Sequence, residues 1–110
     1  MTPKHQRKIN EVYPSTAGIE GAVKSKLSAL HYYLNERPSK FSKAIEYLER
    51  KTNTDLQKGR IGYNKVALDI LVCIFENCSQ HYELFSISSL RIIHTLLPIA
   101  ELTAKATSTV

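Results

Sequence analysis

The residues best suited to metal chemistry lie in the second half of the sequence, but their spacing does not predict a site. Cys73 and Cys78 are five positions apart on a predicted helix, about 140° apart around its axis, so they face different ways. His81 and His94 add no recognised ligand spacing. We therefore expect two core or half-buried thiols, no metal and no cofactor.

Catalytic motifs are missing from these 110 residues as well. The chain contains no Gly-rich phosphate loop, no GxSxG motif and no HExxH motif. Asp69 is a single acid within an apolar helix, and we interpret it as a hydrogen-bonded core residue rather than a general base. The expectation is a protein without enzymatic activity.

Basic side chains form the pattern that does point to chemistry, namely anion binding. The chain has 15 Lys and Arg against 10 Asp and Glu, a net charge of +5. Residues 1–65 hold 13 of these cations against six acids, a net +7, whereas residues 66–110 hold two against four, a net −2. The positive charge is therefore concentrated in residues 1–65, and we expect it to form one surface of the protein.

Two groups of cations stand out in the basic half. Lys4, Arg7 and Lys8 have only Glu11 nearby. A helical stripe is formed by Lys40, Lys43, Tyr47 and Arg50. Further cations that would make the surface continuous are Lys24, Lys26, Arg37, Lys58, Arg60 and Lys65.

The alternative interpretation of the stripe is an ordinary solvated face. Ion pairs of Glu36 with Lys40 and of Glu46 with Arg50 would neutralise part of it. Near an anionic membrane leaflet, each free Lys or Arg contributes about 1 kcal/mol, so five or six of them hold a protein there reversibly. Nucleic-acid phosphates are a weaker alternative, because the aromatic platform that stacks single strands is missing.

The elements that position these residues are predicted to be helices throughout. Apolar residues repeat at helical spacing over 23–34, Pro38 stops that helix, and Ser39 caps the next. Thr54 and Gln57 have the spacing of a capping box. The remaining expected helices run from Asp55 to about Cys78, from about Leu84 to Pro98, and from Glu101 onwards.

The segment Val66–Phe75 indicates how the helices are arranged. It contains a single charged residue, so a helix formed there is apolar nearly all round and must be covered on several sides. Stacked helix pairs provide such cover. We therefore predict an all-α, armadillo/HEAT-like helical solenoid fragment of about five helices. Residues 1–15 form a basic N-terminal segment, and 16–110 form the first repeats, truncated at the C-terminal end.

Three segments together resemble a known family. They are residues 4–14, which end in Tyr13-Pro14, residues 40–50, and residues 59–71, which begin Gly59-Arg60-Ile61-Gly62-Tyr63. In order and spacing they resemble the N-terminus of the Rolling blackout (Efr-three) family, and its fungal members most closely. The resemblance covers about residues 3–110.

The resemblance implies a non-enzymatic scaffold on the cytoplasmic face of the plasma membrane. Members of the family are rods of armadillo- and HEAT-like repeats that recruit phosphatidylinositol 4-kinase III-alpha through a tetratricopeptide-repeat adaptor. Fungal members dock on acidic phospholipids through a basic patch near the N-terminus. Carried onto this chain, that patch matches Lys4, Arg7 and Lys8, joined by Lys24 and Lys26.

The chain departs from the family in two respects. Animal members carry palmitoylated cysteines at the extreme N-terminus, whereas residues 1–8 contain no cysteine. Family members are also several times longer, and their adaptor-binding part lies towards the C-terminal end, so we expect the kinase and adaptor to bind regions missing from this chain.

We therefore predict a peripheral membrane-docking module. Its partners are anionic phospholipids, phosphatidylserine and phosphoinositides, and not nucleic acid. The expected lipid-binding residues are Lys4, Arg7, Lys8, Lys24, Lys26, Lys40 and Lys43. The alternative is a helical-repeat fragment that binds an acidic protein without touching a membrane.

Overall fold

The described part of the chain is built from helices alone. The computed structural model describes residues 2–14 and 22–108, with side chains described as far as residue 98. The helices are α1 (Lys4–Asn10), α2 (Lys24–Glu36), α3 (Phe41–Gln57), α4 (Ile61–Asn77) and α5 (Tyr82–Ser108). Short 3-10 turns, Pro38–Lys40 and Ser79–His81, precede α3 and α5. No strand occurs in these ranges, and the expected all-α solenoid fragment of about five helices is confirmed.

The helices stack in two layers. In one layer α3 contacts α1 on one side and α5 on the other, and in the second layer α2 contacts α4. Contacts of α1 with α2, of α3 with α4 and of α4 with α5 join the layers. Consecutive helices thus form pairs that pack on the next pair, which is the arrangement of a helical-repeat stack.

Helix α4 supplies the centre of the core. Its buried side chains are Val66, Ala67, Ile70, Leu71 and Ile74. They meet the apolar face of α3, on which Phe41, Ala44, Ile45 and Leu48 are buried. The expectation that α4 is covered on several sides is confirmed, but the cover is incomplete: Asp69 is exposed, and Val72 is 52% exposed, where both border a groove between α2 and α4.

The short helix α1 was not expected, and it belongs to the same core. Ile9 and the following Val12 are fully buried, and His5 is buried beside them. The backbone carbonyl of Pro3 accepts bonds from the amides of Gln6 and Arg7, which close the first turn. A seven-residue helix is not stable alone in water, so packing against α2 and α3 is what holds α1. The expected boundary between residues 15 and 16 lies outside the described residues.

The junction of α3 and α4 differs from the expectation. The capping box predicted at Thr54 and Gln57 is wrong, because both residues lie inside α3. The amide of Arg60 donates to the carbonyl of Asp55 (2.8 Å), and the amide of Gly59 donates to the carbonyl of Leu56 (3.1 Å). This bonding pattern ends a helix when the residue after its cap is left-handed. Gly59 has φ +70°, so it ends α3, and α4 begins at Ile61 instead of the expected Asp55.

Two further predicted helix ends are wrong. Ser39 lies in the 3-10 turn, and no side-chain hydrogen bond caps α3. Pro98 lies inside α5, which continues to Ser108, so the separate helix expected from Glu101 is the end of α5. Proline removes the hydrogen bond to the carbonyl four residues earlier, here that of His94. Both residues are exposed, so water can satisfy that carbonyl and the helix continues.

Replacing Gly59 by Ala is expected to destabilise the fold without any steric clash. A Cβ at this position would meet nothing within 4 Å, so the whole effect comes from the left-handed backbone, which costs a residue with a Cβ about 1–2 kcal/mol. Urea unfolding of the parent and of Gly59→Ala measures the difference. Gly59→Asn is the matched control and should lose less, because Asn tolerates this conformation. Equal losses of unfolding free energy in the two variants would contradict a left-handed conformation at Gly59.

Candidate functional site

Helix α1 lies between α2 and α3 and carries the N-terminal cations. On one flank the ammonium of Lys4 lies over the ring of Tyr33 on α2, 5.6 Å from its centroid. On the other flank the hydroxyl of Tyr47 on α3 donates to Oδ1 of Asn10 at 2.7 Å. Arg7 lies between these two contacts on the exposed side of α1. Its guanidinium is therefore presented to solvent from the surface of the layer.

Tyr33 joins two cations from different parts of the chain. The guanidinium carbon of Arg37, at the end of α2, lies 4.9 Å from the centroid of the same ring that Lys4 covers. Attraction between a cation and the face of an aromatic ring holds each side chain in place. Arg37 was named in the sequence only as part of a wider basic surface, and the structure places it beside the predicted cluster.

Lys24 and Lys26 lie in different surroundings from the other predicted lipid-binding residues. The ammonium of Lys26 pairs with the carboxylate of Glu11 at 3.1 Å, so its charge is compensated. Lys24 borders a groove of about 530 Å³ between α2 and α4, where Asp69 and Glu76 also lie. The remaining five predicted lipid-binding residues belong to α1, to α3 and to the turn that precedes α3: Lys4, Arg7, Lys8, Lys40 and Lys43.

The stripe on α3 faces the same side as α1. Burial lowers the pKa of His5, and the positive charges of Lys40, Lys43 and Arg50 lower it further. These three cations thus lie near a residue of α1. The ion pairs expected to neutralise the stripe are absent from the described residues, since Glu36 lies against Arg37 at 3.8 Å and Glu46 makes no ion pair there.

Three acids at the end of α1 and on α3 are paired with cations that lie outside these two helices, and Glu46 of α3 is the acid that stays unpaired in the described residues. Glu11, at the end of α1, pairs with Lys26 of α2. On α3, Glu49 accepts from Arg91 of α5 at 3.3 Å, and Asp55 lies 3.6 Å from the guanidinium of Arg60. The cations of α1 and α3 themselves have no carboxylate within ion-pair distance in the described part of the chain. We name the resulting surface the basic face, defined by Lys4, Arg7, Lys8, Lys40, Lys43 and Arg50.

The sulfur and acid residues lie elsewhere, and the structure corrects two expectations about them. Asp69 is exposed, so its interpretation as a core residue is wrong. Cys73 and Cys78 do not face different ways, because both reach His31: Nδ1 of His31 lies 3.3 Å from Sγ of Cys73, and Sγ of Cys78 lies 3.8 Å from the His31 carbonyl. Cys73 is half-buried and Cys78 is buried, as expected of core thiols, and burial raises the pKa of both, that of Cys78 to about 11.

The described residues contain neither a cluster of metal ligands nor a membrane-spanning helix. No three His, Cys, Asp or Glu side chains among them are grouped so that they could hold a metal ion. None of the described helices combines the length and the apolar character needed to cross a bilayer.

A family model described as "EFR3 protein" matches residues 4–107 of the chain. The chain belongs to the EFR3 family. Protein EFR3 of Candida glabrata is 37% identical over 98 residues, which cover 88% of this chain and 13% of the relative. Protein EFR3 of Saccharomyces cerevisiae is 36% identical over 98 residues, which cover 88% of this chain and 12% of the relative. The chain thus spans about a tenth of the length of these curated EFR3 relatives.

A solved structure agrees with the EFR3 assignment. The crystal structure of Efr3 superposes with a TM-score of 0.83 at 34% sequence identity, over 89% of this chain and 18% of that one. The resemblance noted in the sequence is confirmed by both comparisons. The fold of this EFR3 chain is therefore the fold found in a solved Efr3.

Stability of this EFR3 chain is expected to depend on the protonation of His5. Since its pKa is lowered in the folded state, the unfolded chain takes up the proton at a higher pH. The stability that neutral His5 contributes is complete above about pH 6.5, and it is lost as the pH falls from there through the lower folded-state pKa. Urea unfolding at about pH 8 and about pH 5 should therefore show a larger acid loss for the parent than for His5→Gln.

His94→Gln provides the control for this experiment, because His94 is exposed on α5. It should keep the acid loss of the parent. An acid loss that is the same in the parent and in His5→Gln would show that the packing of α1 does not depend on a neutral His5.

Proposed function

We propose that this chain is the membrane-docking part of a non-enzymatic scaffold. Its basic face binds acidic phospholipids, phosphatidylserine and phosphoinositides, on the cytoplasmic side of the plasma membrane. The observation that carries the proposal is that the cations of the basic face have no carboxylate within ion-pair distance in the described residues. Glu11, Glu49 and Asp55 pair with cations of other elements, which leaves Glu46 as the one unpaired acid of α3 there.

Electrostatic magnitudes support reversible docking. Each cation close to an anionic leaflet contributes about 1 kcal/mol, and the attraction decays over a Debye length of about 8 Å. Five or six cations on one face therefore suffice to hold the protein at the membrane at physiological ionic strength. The two cations stacked on Tyr33 are already ordered, which lowers the entropy lost on binding.

The wider role follows from membership in the EFR3 family and from the resemblance of the sequence to the membrane scaffold of the phosphatidylinositol 4-kinase III-alpha complex. In this proposal the docked scaffold helps to recruit the kinase through its tetratricopeptide-repeat adaptor. The chain spans only about a tenth of its relatives, so we assign the contacts with kinase and adaptor to other parts of the full-length scaffold.

Replacing Arg7 and Lys8 together by Ala should weaken binding to vesicles that contain phosphatidylserine. Two lost cations correspond to about 2 kcal/mol, a fall in partition coefficient of about thirtyfold. Lys4 is left in place because its ammonium packs on Tyr33, and removing it would mix charge with packing. Co-sedimentation over a series of salt concentrations measures both the affinity and its salt dependence.

The matched control removes the same charge at residues outside the basic face. Lys58→Ala with Lys65→Ala changes two exposed cations of the α3–α4 turn and of α4, and it should reduce binding much less. Equal losses in the two double variants would indicate attraction by net charge alone. Failure of the parent to bind anionic vesicles at low salt would leave an acidic protein as the partner of the basic face.

A further inference from the structure

A hollow of about 260 Å³ lies on the surface of α3, beside the α3–α4 turn. Its lining consists of Tyr47, Arg50, Lys51, Thr54, Asp55 and Arg60. Three of these side chains are cations and one is an acid, so the hollow carries two positive charges in excess. Thr54 and Tyr47 add hydroxyl groups.

Lys51 is held in the hollow by aromatic rings. Its ammonium lies 4.5 Å from the centroid of Tyr13 and 6.0 Å from that of Tyr63, and the two rings pack edge to face at 5.3 Å. The hydroxyl of Tyr63 donates to the carbonyl of Pro14 at 3.1 Å, which holds the Tyr63 ring in place beside Lys51. Lys51 is half-buried, and no carboxylate in the described residues pairs with it. A half-buried ammonium in this position favours an anionic ligand.

Arg60 forms the opposite wall, and a buried acid fixes its position. The side chain of Asp55 is almost completely buried, and its Oδ1 lies 3.6 Å from the Arg60 guanidinium. The guanidinium keeps further N–H donors, because it has five and one oxygen cannot engage them all. Arg50 is exposed on the remaining side.

The hollow continues the basic face. Lys43, Tyr47, Arg50 and Thr54 follow one another at helical spacing along α3. Guanidinium groups, an ammonium and a hydroxyl around one concavity are the donors that bind phosphate oxygens. A phosphate monoester carries between about one and a half and two negative charges near pH 7, which matches the excess charge of the hollow.

We propose that this hollow binds a single phosphate monoester group. The group is carried either by a soluble phosphate ester or by a lipid headgroup. Only the lipid source rests on the function proposed above, in which the neighbouring basic face lies against the membrane. Arg50, Lys51 and Arg60 contact the phosphate oxygens, and Thr54 donates a hydrogen bond.

The first test uses soluble probes and no membrane. Inorganic phosphate and glycerol phosphate are titrated into labelled protein at fixed ionic strength, and the amide shifts of Lys51, Thr54 and Arg60 are followed by NMR. Arg50→Ala and Lys51→Met should each weaken the binding of glycerol phosphate by about tenfold or more. Lys51→Met keeps the aliphatic stem against the tyrosines, so the fold is retained. Lys58→Met, the control, removes a charge from the same turn outside the hollow and should change the affinity by less than about twofold.

The second test identifies the source. Vesicles with phosphatidic acid present a monoester, and vesicles of equal surface charge with phosphatidylglycerol present a diester. If Lys51→Met binds more weakly than the parent to phosphatidic acid vesicles but equally well to phosphatidylglycerol vesicles, the result supports a lipid headgroup as the source of the phosphate. No effect on either vesicle, with glycerol phosphate still bound by the parent, supports a soluble ester.

The two proposals fail in different ways. Amide shifts that are absent or spread over the whole surface, or an equal loss in Lys58→Met, overturn the phosphate hollow even if both vesicles bind. Binding of glycerol phosphate with no binding to either vesicle supports the hollow and overturns membrane docking.

Discussion

Helix α4 buries most of its circumference, and the placing of the other helices follows from this constraint. Burial of its five core side chains requires apolar partners on more than one side, and α2, α3 and α5 provide them. Two layers result, because a single layer would leave α4 exposed. The exposed residues of α4 follow one another at helical spacing and mark the side on which the described part of the chain offers least cover: Lys65, Asp69, Val72 and Glu76.

The same layering separates the charges. Helices α1 and α3 turn their apolar residues inwards against α2 and α4, so their polar residues share the opposite surface. The ion pairs Glu11–Lys26 and Glu49–Arg91 link neighbouring helices. Exposed pairs of this kind contribute at most about 1 kcal/mol each to stability. Their larger effect is on the potential of the surface, since they compensate Glu11 and Glu49 with cations from other helices and leave the cations of α1 and α3 without an ion-paired acid.

Apolar periodicity in the sequence predicted α2, α3, α4 and most of α5, because each of these helices has a regular inward face. It did not predict α1, in which only Ile9 is a buried aliphatic residue and local preference is weak. The end of α3 was misplaced because Thr54 and Gln57 imitate a capping box, whereas the bonds that end the helix are made by backbone groups around Gly59. The distribution of charge along the sequence identified Lys4, Arg7 and Lys8 as a cationic group. It did not find Lys51, whose role depends on tyrosines 38 positions before it and 12 positions after it.

The turn between α3 and α4 combines two tasks in three residues. Its backbone bonds stop α3, and the same path returns Arg60 to the side of Asp55. One inserted residue in this turn would leave both helices able to form, since surface turns tolerate changes of length. It would nevertheless carry the guanidinium away from α3. The length of this turn is therefore constrained by charge placement as well as by folding, since an insertion would also leave the buried Asp55 carboxylate without its cation.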